Sequence, residues 1–208
     1  MSPFDQHRYQ VRLDWGLDGL ARLEPADVVV VVDVLRFSST VTDAVARGES
    51  PALDAAARAV SINGAPVAGA AAATGAVVFL GCLRNPSAVA RAVLDEQERR
   101  AARTSIAVIA AGELDDHGTV RFSVEDLLGA GAVIDALSAL GIDHTSPEAA
   151  AACESFRGLR PAVRHLLTAS GSGQELLERG RRDEVLAAAE VDAASLAPVL
   201  RDGVFVAA

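Results

Sequence analysis

The sequence predicts a layered α/β domain, and three observations carry that prediction. Strand-like and helix-like stretches alternate along most of the 208 residues. One stretch, Asp27 to Val34, is apolar on both faces, as a central strand covered by helices on both sides must be. Half of the residues are hydrophobic and 23% are charged, which supplies a sizeable core and excludes a disordered chain. The length suits one domain over residues 1–208.

The elements follow in order. His7 to Leu13 alternates in polarity and predicts an edge-like strand, and the apolar run from Asp27 to Val34 predicts a central one. Phe37 to Arg47 reads as a helix with Ser38 or Ser39 as its cap and Gly48 at its end. Ser50-Pro51 predicts a short helix, Ala59 to Ile62 a short strand, and Asn63-Gly64 a turn. Ala65 to Ala73 predicts a helix ending at Gly75, and Ala76 to Leu80 a strand. Pro86 opens a helix to about Arg103, followed by an apolar strand from Ser105 to Ala111. Gly112 to Arg121 reads as a polar loop. Ser123 then caps a helix through Leu140, with Glu125 and Asp126 in the first turn, where acids suit the helix dipole. The chain is mostly helical from Pro147 to Ala189. Leu196 to Val206 returns two short strands about Asp202-Gly203.

Charge and composition exclude several classes. The net charge of −9 argues against a nucleic-acid or anionic-membrane binder, which needs a basic face. All 19 cationic side chains are arginine, so chemistry that needs a P-loop or Schiff-base lysine is excluded. A local arginine cluster can still hold a small anionic substrate. The polar opening from Met1 to Trp15 carries no signal-peptide pattern, and the two cysteines, Cys82 and Cys153, make no disulfide framework. The expectation is a cytoplasmic protein with reduced thiols. The arginine-for-lysine bias suggests a bacterial origin. Self-association into a homo-oligomer is left open.

The chemistry-bearing residues stand at the ends of strands. Asp33 closes the valine-rich strand, Asn63-Gly64 follows the one expected near Ala59, Arg84-Asn85 follows the next, and Glu113 follows the last. Ligands in open α/β sheets bind outside the carboxyl ends of the strands. If those strands are parallel, Asp33, Asn63, Arg84, Asn85 and Glu113 share one crevice. Two acids among amides, arginines and hydroxyls can hold a divalent cation together with an anionic group.

Each residue also has a plainer reading. Asp33 and the hydroxyls Ser38, Ser39 and Thr40 can be helix-capping groups. Arg84-Asn85-Pro86 can be a loop and helix start, Glu113 part of a solvated loop, and Glu125 and Asp126 dipole acids. Cys82 reads as a small core residue, and the four histidines show no ligand spacing. Spacing excludes two phosphatase types: position 35 is Leu where an Asp-x-Asp motif needs its second acid, and position 88 is Ala where a cysteine phosphatase needs its arginine.

With these residues in view the chain resembles the 2-phosphosulfolactate phosphatase (ComB-like) family. The matching segments are Val30 to Arg36 with Ser38-Ser39-Thr40, Asn63-Gly64, Gly81 to Asn85, Ala110 to Glu113, Ser123 to Asp126 with Gly129-Ala130-Gly131, and Ser170 to Gly173 leading to Leu176 and Gly180. They run in order through nearly the whole chain. The resemblance implies a three-layer α/β/α domain with a mixed, mostly parallel central sheet. It also implies magnesium-dependent hydrolysis of a small acidic phosphate monoester.

On that reading Asp33 and Glu113 ligate Mg²⁺, with Glu125 or Asp126 as the third ligand. Arg36 and Arg84 grip the phosphate or the acid end of the substrate. Asn63, Gly64, Asn85 and the segment Ser38-Ser39-Thr40 complete the oxyanion contacts. The family carries a longer segment after the position of Gly48, and a hydroxyl residue where this chain has Ala65. These departures define the alternative, a non-catalytic binder of a phosphorylated metabolite.

Overall fold

The computed structural model describes residues 2–208, without the side chains of residues 58–60. The first half runs β1 (Val11–Trp15), α1 (Gly16–Arg22), β2 (Val28–Val32), α2 (Phe37–Ala46), α3 (Ala55–Val60), α4 (Gly64–Ala73), β3 (Val77–Gly81) and α5 (Pro86–Arg100). Next come β4 (Ile106–Ala110), β5 (Glu113–Leu114), β6 (Val120–Arg121) and α6 (Val124–Ala139). Four helices follow, α7 (Pro147–Leu159), α8 (Val163–Ala169), α9 (Gly171–Glu178) and α10 (Arg182–Ala188), and then β7 (Pro198–Arg201) and β8 (Val204–Ala207).

The main sheet has six strands in the order β1-β4-β2-β3-β7-β8. β1, β4, β2 and β3 are mutually parallel, and β7 and β8 add antiparallel to the β3 side. This is the three-layer α/β/α architecture with a mixed, mostly parallel sheet. Its cause is visible in β2, where every valine is buried and alternate side chains point to opposite layers. Val28, Val30 and Val32 pack into the core under α5, α6 and α7, whereas Val29 and Val31 pack into the one under α2 and α4. Burying each valine contributes roughly 1.5 kcal/mol, and a strand covered on both faces needs no polar alternation.

The glycines of Gly129-Ala130-Gly131 set how close α6 comes to its neighbours. A Cβ at Gly129 would fall 2.6 Å from Val34 of the β2 end, and one at Gly131 would overlap the Ala152 carbonyl of α7. Among the described residues no helix is long and apolar enough to cross a membrane.

Three local expectations are corrected. Ser50-Pro51 starts no helix, because the segment pairs with β8: the Phe205 amide donates to the Pro51 carbonyl, the Leu53 amide donates to the Gly203 carbonyl, and Ala52 bridges Val204. Helix α3 begins only after Asp54, whose side chain accepts from the Ala57 amide at 2.9 Å. The stretch expected as a strand from Ala59 therefore falls at the end of α3, and Asn63-Gly64 is the entry to α4 rather than a free turn. The expected polar loop after β4 contains the β5–β6 hairpin. Its isolated two-residue strands carry too little apolar alternation to be read locally.

Candidate active site

Because β2, β3 and β4 are parallel, their carboxyl ends open on the same edge of the sheet. Asp33 stands immediately after β2 and is buried. Its Oδ1 accepts the Phe37 amide at 3.1 Å and its Oδ2 accepts the Gly64 amide at 3.0 Å. It therefore caps α2 and also receives the first amide of α4, combining the capping and site readings in one residue. Burial pushes its pKa from 3.8 to about 6, and the nearby charges of Glu113 and Glu125 push the same way.

Glu113 opens the β5–β6 hairpin and is held from two sides. The Asn63 side-chain amide donates to it at 3.3 Å and the Ser172 hydroxyl at 3.5 Å. The same hydroxyl lies closer to Glu125, buried in the first turn of α6, so its one proton is shared between the two carboxylates with Glu125 the nearer acceptor. With its Nδ2 turned to Glu113, Asn63 leaves its Oδ1 buried with no hydrogen-bond partner. Reversing that amide would set Oδ1 against the Glu113 carboxylate, so the acceptor must be the atom left free.

Two clefts meet at Glu113 and Ser172. One, of about 630 Å³, has Asp33, Arg36, Thr40 and Asn63 on its wall. The other, of about 560 Å³, has Arg121 and Glu125 on its wall and is closed by the start of α9. Arg36 pairs with Glu184 of α10 at 3.3 Å while its side chain borders the first cleft. Thr40 is exposed on the same wall.

Six residues expected at the crevice have other partners. Asp126 is buried with both oxygens committed, Oδ1 to the Val34 amide at 2.7 Å and Oδ2 to the Gly112 amide at 2.9 Å. It ties the end of β2 to the end of β4 and lines neither cleft. Burial, then Asp33 and Glu125, hold its pKa well above the ordinary carboxylate range. Ser38 donates to the Val31 carbonyl and Ser39 to the Val34 carbonyl, so both buried hydroxyls brace the β2–α2 turn.

Asn85 is fully buried, with its side chain on the Cys82 amide and the Leu80 and Leu196 carbonyls. Arg84 pairs with Asp43 of α2 and lies outside both clefts. β3 ends beside β7 rather than beside β4, so its following loop turns towards α2 and the Leu196 segment. Gly64 contributes its amide to Asp33 rather than to the open cleft. Ser172 was not expected as a site residue. Its only sequence signal is the Ser170-Gly171-Ser172-Gly173 run, which places a hydroxyl at the start of α9.

The model of the 2-phosphosulpholactate phosphatase family matches residues 54–203, well over half of the chain. The chain belongs to the 2-phosphosulpholactate phosphatase family. As a member of it the chain is a phosphoric monoester hydrolase. The match takes in Asn63, Glu113, Glu125 and Ser172, and the β2 end with Asp33 and Arg36 lies just ahead of it. Within this family's fold, the acids of the matched region and Asp33 from outside it come together at one sheet edge.

Proposed function

We propose that the chain hydrolyses a small acidic phosphate monoester of the 2-phosphosulfolactate type, with Mg²⁺ as its cofactor. One observation carries the cofactor. Asp33, Glu113 and Glu125 lie close enough to raise the pKa of Asp33, and none pairs with a cationic side chain among the described residues. Uncompensated acids beside a buried, unpartnered amide oxygen suit a hard cation with oxygen ligands. No three acidic, histidine or cysteine side chains among the described residues form a ready-made cage. Mg²⁺ keeps several waters and takes one or two carboxylates together with substrate phosphate oxygens, so the two acids of the larger cleft are enough to hold it.

Asp33 and Glu113, on the wall of the larger cleft, would hold the cation, with Asn63 Oδ1 as a neutral donor and Glu125 linked to them through Ser172. When bound, Mg²⁺ supplies charge neutralisation at the phosphoryl oxygens and a more acidic water. The protein groups do the rest. Ser172 and Asn63 orient Glu113, and the amides on Asp33 hold its carboxylate in one rotamer. Arg36, with its planar fork, holds an acid group of the substrate on the wall of the larger cleft. The short connection after Gly48 bridges to β8 at Ala52, and Asp33, Asn63 and Glu113 still line one cleft, which favours catalysis over binding alone.

Phosphate release from 2-phosphosulfolactate and from simple phosphomonoesters, in Mg²⁺ and in EDTA, tests the proposal. Turnover only in Mg²⁺, best with the substrate carrying extra acid groups, is the expected result. Binding without turnover under both conditions would establish the non-catalytic binder instead.

A further inference from the structure

Three arginines line the two clefts, and two of them are engaged by a carboxylate: Arg36 by Glu184 and Arg179 by Glu175. Arg121 has no ion pair among the described residues. This is unexpected from its position, because Arg121 is the cross-strand partner of Glu113 in the β5–β6 hairpin. Directly opposed residues lie side by side on one face, yet the two side chains form no salt bridge. The Glu113 carboxylate turns to Asn63 and Ser172 instead, leaving the guanidinium exposed on the wall of the smaller cleft.

The hairpin is held in place. Gly112 at φ 68° presses it against the sheet so closely that a Cβ would fall 2.8 Å from the Arg121 carbonyl, and Phe122 packs on Trp15 of β1. Across the cleft the guanidinium faces the start of α9, 3.7 Å from where a Gly171 Cβ would stand. That helix end adds a partial positive charge. An exposed arginine without an ion pair, on a hairpin packed against the sheet and beside a helix N-terminus, is available to an anion.

We infer that Arg121 recognises a second anionic group of the substrate, a sulfonate or carboxylate carried on the carbon chain that also bears the phosphate. The inference rests on the phosphatase reading for the location of the phosphate at the junction of the clefts. 2-Phosphosulfolactate carries its phosphate between a carboxylate and a sulfonate. With the phosphate at Glu113 and Ser172, one acid arm enters the larger cleft towards Arg36 and the other enters the smaller cleft towards Arg121. The protein thereby selects phosphoesters with acid groups on both sides.

Calorimetric titration of sulfolactate, the phosphate-free product, into the native chain and the R121Q and R121K variants tests this. The expected result is at least tenfold weaker binding in R121Q, with R121K intermediate, because a point charge keeps attraction but loses the fork. In turnover R121Q should raise KM for 2-phosphosulfolactate with kcat changed less than about threefold, the pattern of lost uniform binding. Binding unchanged within twofold, or no sulfolactate binding by the native chain, overturns the role of Arg121. Native binding that R121Q weakens, without hydrolysis in Mg²⁺, supports Arg121 and overturns the phosphatase reading alone.

Discussion

The Gly64 amide donates to Asp33 Oδ2 at 3.0 Å, and a Cβ on Gly64 would fall 2.5 Å from that same oxygen. The entry of α4 is thus a backbone cradle for the carboxylate at the end of β2, and only glycine leaves room for it.

Gly64→Ala should therefore displace Asp33 rather than unfold the protein. Overpacking of this kind costs about 1–3 kcal/mol. Hydrolysis in Mg²⁺ should fall at least about tenfold, since a carboxylate moved by a fraction of an ångström no longer meets its site. Steady-state kinetics beside a melting curve checks this. Full activity in a folded Gly64→Ala protein would show that Asp33 is not held by the cradle for catalysis.

Asp33→Asn should abolish Mg²⁺-dependent turnover, and its circular dichroism spectrum should match that of the native chain. One oxygen becomes a donor facing an amide donor, which costs about 1–3 kcal/mol, but a buried charge disappears with it. An active Asp33→Asn variant would remove Asp33 from the metal site.

The raised pKa of Asp33 predicts how stability depends on pH. The folded chain holds this proton more tightly than the unfolded chain does, with a pKa of about 6 against 3.8. The resulting stabilisation is complete below pH 4 and disappears as pH rises through 6, a loss of about 3 kcal/mol. In EDTA the melting temperature should fall between pH 5 and pH 7.5 more steeply in the native chain than in Asp33→Asn. Mg²⁺, which competes with the proton, should raise it more at pH 7.5 than at pH 5. Equal slopes in the two proteins, or equal Mg²⁺ shifts at the two pH values, would contradict the electrostatic picture of the site.

Arg36 borders the larger cleft and makes only a long, half-exposed contact with Glu184. Arg36→Lys should lower kcat/KM at least about tenfold, as expected for loss of one charge-assisted bond near 1.4 kcal/mol. Glu184→Gln should leave kcat/KM within about twofold. Silence of Arg36→Lys would leave the residue a purely surface pair.

Cys82 is buried and donates to Asn85 Oδ1 at 3.3 Å, and burial raises its thiol pKa. Cys82→Ser keeps a donor in the same place and should retain most activity, because the proposed chemistry needs no thiolate. Inactivation of a folded Cys82→Ser protein would point to covalent cysteine chemistry.

Layering, the buried β2 strand, its helices and the strand-end position of Asp33 and Glu113 were legible from the amino-acid order, whereas Asn63 stands between two helices rather than after a strand. Each depends on local periodicity and on the residue that ends it. The cysteine and lysine counts likewise excluded whole classes of chemistry without any structure. What the order could not supply was which of the polar residues that follow the strands face the same space. Arg84 and Asn85 follow β3 much as Asp33 follows β2, yet the sheet order β4-β2-β3-β7 carries their loop away from the acids. Glu125 and Asp126 are adjacent, but successive helical residues point about 100° apart, so one meets Ser172 and the other clamps two backbone amides. Ser172 and Arg121 reach the site from distant segments through a loop and a hairpin. No local pattern encodes such meetings. They are decided by long-range packing, in which Gly64, Gly112 and Gly129 permit close approach and the remaining contacts follow.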